Sequence, residues 1–269
     1  MNHRSEFVKG FKELTNGLSR PTDMGVFDIF KKKSPPLDDY SLLGTDMHSH
    51  LLPGLDDGAP DMQASLKLIG DLHEMGFRKF WCTPHIMSDF YKNDSSTILP
   101  ALDSVREAVK EHGLPVEVFA AAEYYVDEGF VKKLENEKLL TLGEKHLLFE
   151  VSYINAPENL SQVIFNMQLK GYRPIMAHPE RYPFWYRDFE KYKTFRDSGV
   201  LMQVNMNSIS GYYGPDARAI ALKMIDEGIV DLLGTDCHHE RHVEGLRRGL
   251  KEPAMRKLIE NTALFNASL

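Results

Sequence analysis

Five times along this chain a short apolar run gives way to a histidine, aspartate or glutamate. The segments are Thr45-Asp46-Met47-His48-Ser49-His50, Cys82-Thr83-Pro84-His85, Ala121-Ala122-Glu123, Ala177-His178-Pro179-Glu180-Arg181 and Gly234-Thr235-Asp236-Cys237-His238. Each follows a predicted strand, at 41–44, 77–81, 116–120, 173–176 and 230–233. Between the strands the pattern turns helical. Segment 61–75 carries Met62, Leu66, Ile69 and Leu72 at helical spacing, with Asp61 at the N-cap position and Gly76 at the stop. Further helices are expected over 98–112, 130–134, 159–169, 188–197, 216–227 and, as one or two, 243–265, and further strands over 146–151 and 200–205. About seven such alternations imply an α/β fold whose strands are parallel, most simply a barrel. The carboxyl ends of parallel strands meet on one face, so these distant imidazoles and carboxylates should converge in one pocket.

With 269 residues, 42% of them hydrophobic, the chain can fill the core of one barrel. A formal charge of −7 argues against a nucleic-acid partner, which needs a basic face to neutralise phosphates. Cys82 and Cys237 are far apart and build no disulfide framework, which fits a reducing compartment. With no apolar run near the roughly 20 residues of a membrane span and no signal-peptide core, a soluble cytoplasmic protein is expected. Residues 1–40 stand apart as an extension, expected to be partly ordered: 24–30 is apolar, and Lys31-Lys32-Lys33-Ser34-Pro35-Pro36 is basic and broken by proline. The barrel is assigned to 41–269.

The local chemistry of the five segments is that of metal ligation. His48 and His50 are two apart, so both imidazoles leave one face of a strand and can grip one ion. Asp56 and Asp57 lie in a glycine-bounded turn, Pro53-Gly54-Leu55-Asp56-Asp57-Gly58, able to fold a carboxylate back over the site as a ligand or a base. His85 follows Pro84, which directs the chain out of its strand. Glu123 suits a carboxylate bridging two ions. Glu150 ends the apolar run Leu147-Leu148-Phe149, where an unpaired carboxylate is costly and calls for a cation. Asp236 and His238 repeat the two-apart spacing. Arg181 either forks onto phosphate oxygens or pairs with Glu180 or Asp188, and Arg241 either forms a second phosphate clamp or merely starts a helix. His239 and His242 are placed away from the ligand set, and His3, His73, His112 and His146 are read as structural or solvated. The aromatics of 182–186 and Tyr212-Tyr213 either rim the pocket or pack loops onto the barrel. Nucleophilic cysteine is disfavoured because the sixth residue after Cys82 is Ser88 and after Cys237 is Val243, not arginine. No G-x-S-x-G elbow, Walker loop or dinucleotide fingerprint is present.

Taken in order, these segments resemble the PHP (polymerase and histidinol phosphatase) superfamily. Within it, the run 46–59 is similar to the opening of the bacterial capsule-associated, metal-dependent protein tyrosine phosphatases. The resemblance spans about residues 44 to 265 and implies a distorted (βα)7 TIM-like barrel. It implies two to three divalent ions, manganese foremost and iron or zinc also reported, held by His48, His50, Asp57, His85, Glu123, His178, Asp236 and His238. Glu150 is the added candidate, and Arg181 would bind the phosphoryl group, with Asp57 or a nearby histidine donating a proton to the leaving oxygen. The substrate so implied is a phosphotyrosyl protein, a bacterial tyrosine kinase being one partner to consider, with a homo-oligomer as a possible assembly. Three rivals remain: a small-molecule phosphatase of the histidinol-phosphate type, a nuclease of the same superfamily, which the acidic charge opposes, and a non-catalytic metal-binding component of a polysaccharide export complex.

Overall fold

The computed structural model describes residues 35–269. The extension expected over 1–40 therefore lies outside the described residues up to 34. Its last residues belong to the barrel: Leu37 N donates to Leu250 O at 2.8 Å, and the buried Tyr40 hydroxyl donates to Leu246 O at 2.7 Å.

The strands are β1 (Thr45–Ser49), β2 (Lys79–Cys82), β3 (His85–Ile86), β4 (Glu117–Ala120), β5 (Glu123–Tyr125), β6 (His146–Glu150), β7 (Arg173–Ala177), β8 (Leu201–Asn205) and β9 (Leu232–Gly234). They form two parallel sheets, β1-β2-β4 and β3-β5-β6-β7-β8-β9. Two neighbouring strands each break at the same level and pass from one sheet to the other. The first breaks at Thr83-Pro84, where proline has no N–H for the ladder, and the second at Ala121-Ala122. Hydrogen bonds from Ala121 N to Cys82 O (2.9 Å) and from Glu123 N to Pro84 O (3.1 Å) carry the pairing across the break. At the other seam β1 meets the end of β9: Asp236 N donates to His48 O (2.8 Å) and His50 N to Cys237 O (3.0 Å). With β2 and β3, and likewise β4 and β5, counted as one broken strand each, seven strand positions close a distorted barrel.

The first strand departs from expectation. Residues 41–43 form a turn tied back to Tyr40 O, Gly44 follows at φ 66°, and the strand runs from Thr45 to Ser49 with every residue buried. His48 thus lies within a strand rather than after one. Hydrophobic periodicity hides this strand because its polar side chains are satisfied internally. Asp46 accepts from Thr235 N (3.0 Å) and Thr235 Oγ1 (2.6 Å), stitching β1 to β9. Glu123 likewise opens β5 instead of trailing a strand, and the last strand starts at Leu232, two residues late.

Around the barrel run α1 (Met62–Glu74), α2 (Ser95–Glu111), α3 (Glu128–Asn136), α4 (Leu160–Leu169), α5 (Glu190–Asp197), α6 (Met206–Ile209), α7 (Pro215–Asp226), α8 (Glu240–Gly249) and α9 (Pro253–Asn261). Asp61 caps α1 as expected, accepting from Ala64 N at 2.8 Å. Helix α2 begins three residues early because Asp94 and Thr97 form a reciprocal capping box. Asp127 caps α3 and lengthens it beyond 130–134, while Pro253 starts α9 and splits the helical region expected over 243–265. The short α6, directly after β8, had no periodic signal. Among the described residues no helix is long and apolar enough to cross a membrane.

Candidate metal centre

The carboxyl ends of the strands bring together all nine side chains put forward as ligands. They form four overlapping groups, His50/Asp57/His85/His238, His48/His50/Asp236, His48/Glu123/His178 and His85/Glu123/Glu150, each with its donor atoms within 4.8 Å of one another. Glu123 is the hub. Its Oε2 lies 3.2 Å from His48 Nε2, 3.4 Å from His50 Nε2 and 3.2 Å from His85 Nδ1, and its Oε1 lies 3.1 Å from His178 Nε2. Asp236 Oδ1 is 3.5 Å from His48 Nε2 and 3.4 Å from His50 Nε2. Asp57 Oδ1 stands 3.5 Å from both His85 Nε2 and His238 Nε2, and Glu150 Oε1 is 3.0 Å from His85 Nδ1.

Burial alone would push the Glu123 carboxyl up, but the charge of the imidazoles of His48 and His85 holds it well below the usual range. Asp236 is held low in the same way, by His48 and His238 against its burial. Burial lowers His85, yet Glu123 overrides it and lifts the imidazole to about 9.

Outer residues set the tautomers. His48 Nδ1 meets Gln203 Oε1 at 2.8 Å, His50 Nδ1 meets Asp56 Oδ2 at 2.7 Å, and His238 Nδ1 meets the Asp236 carbonyl at 2.9 Å. Each partner is an oxygen that can only accept, or in Gln203 the acceptor end of the amide, so Nδ1 carries the proton and the Nε2 lone pair faces the cluster. That is the form a metal ligand needs. The two aspartates of the turn therefore divide their work. Asp56 turns inward to orient His50 and also accepts from His85 N (3.0 Å) and Gly58 N (3.0 Å), while Asp57 faces the cluster. Only glycine fits at position 58, because a Cβ there would collide with the His50 backbone carbonyl and Cβ. Two cluster residues, His178 (φ 34°) and Asp236 (φ 50°), are the non-glycine residues with positive φ among those described. Such conformations cost about 1–3 kcal/mol each and persist where the surroundings dictate them.

The donor set fits divalent ions. Both oxygens of Glu123, and His85 Nδ1, are buried without a hydrogen-bond partner, a costly condition that a cation relieves. The donors are imidazoles and carboxylates with no thiolate, which suits borderline first-row ions such as manganese, iron and zinc.

A cavity of about 620 Å³ opens above the cluster. Arg181 lines it, with Nη1 donating to Asp236 Oδ2 at 2.8 Å and its guanidinium carbon 4.0 Å from the Tyr213 ring centroid and 5.0 Å from that of Tyr153. Its ion pair is thus with Asp236, not with Glu180 or Asp188. Glu180 turns into the core and accepts from Asn205 N (3.0 Å) and Ser208 Oγ (2.6 Å). Arg241 is not brought to the site: it is exposed in the first turn of α8 and does not line the cavity. The turn of the helix instead directs His242 inward, where Nδ1 accepts from His238 N at 3.1 Å. His239 and His242 line the cavity without joining the donor groups, and His73, His112 and His146 lie outside it; His3 is outside the described residues. The 182–186 aromatics divide: Tyr182 and Trp185 are core, and Tyr213 is the member of the two aromatic runs that reaches the cavity.

Sequence reasoning missed Gln203, Asn205, Tyr91, Tyr125 and Tyr153. Gln203 Nε2 donates to Asn205 Oδ1 (2.9 Å), and Asn205 Nδ2 donates to Asp236 Oδ2 (2.6 Å), so one polar chain links His48 to Asp236. The available signal was two amides two residues apart in the otherwise apolar β8, an arrangement that puts both on one face. The tyrosines carried none: Tyr125 ends the short β5, and Tyr91 and Tyr153 sit in loops whose path only the fold defines.

Comparison with known proteins agrees with this geometry. The family described as Capsular polysaccharide synthesis, CpsB/CapC matches residues 44–260. The chain is 27% identical over 195 residues to the tyrosine-protein phosphatase YwqE of Bacillus subtilis, covering 72% of this chain and 77% of that protein. It is 24% identical over 200 residues to the tyrosine-protein phosphatase CpsB of Streptococcus pneumoniae, covering 72% and 82%. It also superposes on a structure from the crystallographic work on YwqE and CpsB, described there as unique metal-dependent tyrosine phosphatases. The TM-score is 0.71 at 24% identity, over 82% of this chain and 96% of that one, a likeness of fold.

Proposed function

The chain belongs to the CpsB/CapC family, and from that premise we propose that it is a metal-dependent protein tyrosine phosphatase acting in the control of capsular or extracellular polysaccharide synthesis. The observation that carries the reading is Glu123: a fully buried carboxylate without hydrogen-bond donors, ringed by four imidazoles, two of which (His85 and His178) line the cavity together with Arg181. The nine residues His48, His50, Asp57, His85, Glu123, Glu150, His178, Asp236 and His238 would hold two to three divalent ions, manganese first among them. Such ions would supply an activated water nucleophile and offset charge on the phosphoryl oxygens.

The chain's own residues do the rest. Arg181 binds the phosphoryl group, its planar fork matched to two oxygens and its guanidinium steadied by the nearby rings of Tyr153 and Tyr213. Gln203 and Asp56 keep the His48 and His50 lone pairs aimed at the cluster. Asp57, with a side chain 56% exposed, is the member of the donor set closest to bulk water; the neighbouring His238 holds its carboxyl below the ordinary range, so the proton for the leaving oxygen would come from a nearby histidine or from water reaching the cavity beside it. A phenolate needs less of that help than an alkoxide, which favours aryl esters. The tyrosine walls favour the same group. A phosphotyrosyl protein, a tyrosine kinase among the candidates, is the partner this chemistry calls for.

The test is phosphate release from a phosphotyrosyl peptide by manganese-loaded protein, with histidinol phosphate run alongside. Rapid release from the peptide that a chelator abolishes is expected. Preference for histidinol phosphate would move the protein to small-molecule metabolism, and binding of metal without hydrolysis of either would leave a non-catalytic metal protein.

A further inference from the structure

The cavity has a polar floor, aromatic walls and an apolar mouth, and the mouth takes no part in the chemistry described above. Arg181 makes the floor with six of the candidate ligands, Asp57, His85, Glu150, His178, Asp236 and His238. Tyr153 and Tyr213 flank Arg181, and Tyr91 lies flat on His85, with centroids 5.4 Å apart and planes at 17°. An aryl ring whose phosphate reaches Arg181 meets these aromatic faces, with which it can stack.

The two most exposed large apolar side chains among the described residues are Ile154 at 86%, at the mouth, and Phe90 at 77%, on the turn beside it. A single exposed apolar side chain needs no explanation. Here the two highest exposures fall beside one cavity. Ile154 lines it directly, and Phe90 sits on a tight turn whose two ends, Met87 and Tyr91, line it. Both positions are built rather than loose. The Phe90 turn is closed by Met87 N to Tyr91 O (2.9 Å) and Tyr91 N to Met87 O (3.0 Å), and anchored by Asn93 Nδ2 on Leu55 O (2.8 Å) and His85 O (2.9 Å). Ile154 N is held by Ser152 Oγ at 3.1 Å.

We propose that Ile154 and Phe90 determine specificity by gripping a bulky apolar residue next to the phosphotyrosine of a protein substrate. The inference rests on the phosphotyrosyl reading of the site. The occupant follows from continuity with the cavity: once the aryl ring is against the tyrosine walls, the substrate main chain on either side must cross the mouth. Apolar neighbours of the phosphotyrosine then cover Ile154 and Phe90, while glycine or a carboxylate leaves them in water or sets a charge against them.

The experiment compares kcat/KM for phosphotyrosyl peptides bearing Leu, Gly or Asp on either side of the phosphotyrosine. 4-Nitrophenyl phosphate, which has no neighbours, serves as the reference. The metal-loaded protein is set beside Ile154→Ser and Phe90→Ser, both surface changes. The Leu peptide is expected to exceed the Gly peptide about tenfold, a partial share of full side-chain burial. Either serine variant should bring the Leu-to-Gly ratio toward one. Equal kcat/KM across the peptides, a preference for Asp, or a ratio unmoved in both variants overturns the inference. So does a concentration-dependent self-association of the chain that either variant abolishes, since a second copy would then own the surface. Hydrolysis of 4-nitrophenyl phosphate with indifference to neighbours sinks this inference alone, whereas silence toward every aryl phosphate sinks the phosphatase reading beneath it.

Discussion

Asp56→Asn tests the architecture of the centre without touching a donor atom. The wild-type carboxylate accepts from His50 Nδ1 (2.7 Å), His85 N (3.0 Å) and Gly58 N (3.0 Å). An asparagine keeps the shape and one acceptor oxygen. If that oxygen stays with Gly58 N, the amide NH2 faces His50 and the His85 N–H. Two donors cannot bond, so His50 relieves the clash by moving its proton to Nε2 and accepting at Nδ1. Its Nε2, now 3.4 Å from both Glu123 Oε2 and Asp236 Oδ1, then presents a hydrogen instead of a lone pair. Loss of such an orienting partner costs about 10- to 100-fold in metal affinity, roughly 1.4–2.8 kcal/mol. The His85 N–H left facing a donor adds about 1–3 kcal/mol of destabilisation. Titration of metal-free protein with manganese in a competing chelator should show that fall, with activity partly restored at saturating metal. An affinity within twofold of wild type would refute the tautomer argument.

Four further outcomes are expected. Arg181→Lys keeps the charge but loses the fork and the guanidinium contacts with the rings of Tyr153 and Tyr213, so KM for aryl phosphates should rise about tenfold or more, the weight of one or two charge-assisted hydrogen bonds; unchanged kcat and KM would remove its clamp role. Arg241→Ala should leave both constants within about twofold, because the side chain is exposed and away from the cavity, and a large rise in KM would restore it to the site. Gln203→Leu strips the acceptor from His48 Nδ1 and the donor from Asn205 Oδ1, costing about 1–3 kcal/mol and lowering the melting temperature by about 2–4 °C per kcal/mol; an unshifted melt would show the network to be idle. Chelation should destabilise the loaded protein by about 2.7 kcal/mol if the free ion stood at a hundred times its Kd, and restored manganese should reverse it. Identical melting with and without chelator would argue against ions bound by the folded chain.

The broken barrel explains why one set of ligands can serve several ions. A continuous seven-stranded ring would space its strand ends evenly. The breaks at Thr83-Pro84 and Ala121-Ala122 instead push His85 and Glu123 into a second sheet, with Glu123 paired in register opposite His85 and beside Leu148. Glu123 comes to lie at the centre of the cluster and meets imidazoles from β1, β3 and the ends of β1 and β7. The positive-φ residues His178 and Asp236 bring an imidazole to Glu123 and a carboxylate to His48 and His50 respectively.

The recurrence of an apolar run ending in His, Asp or Glu was enough to predict a parallel α/β fold and to single out His48, His50, His85, Glu123, Glu150, His178, Asp236 and His238 at its carboxyl edge, whereas Asp57, in the turn after the first strand, was named by the family resemblance. Strand ends of parallel sheets share one face whatever their distance along the chain, so local chemistry at each end was sufficient. The Asp61 cap and the Gly76 stop were legible for the same reason, being local. The polar strand Thr45–Ser49 escaped notice because its partners, Thr235 above all, are about 190 residues away in sequence. The choice between Asp56 and Asp57, the ion pair of Arg181 with Asp236 and the outward face of Arg241 depended on which way each loop or helix turns over the barrel. Gln203 and Asn205 gained their roles only where β8 passes between His48 and Asp236. Short-range patterning decides which elements form; side-chain direction and pairing across the site are set by contacts between segments far apart in the chain, which tertiary packing alone brings together.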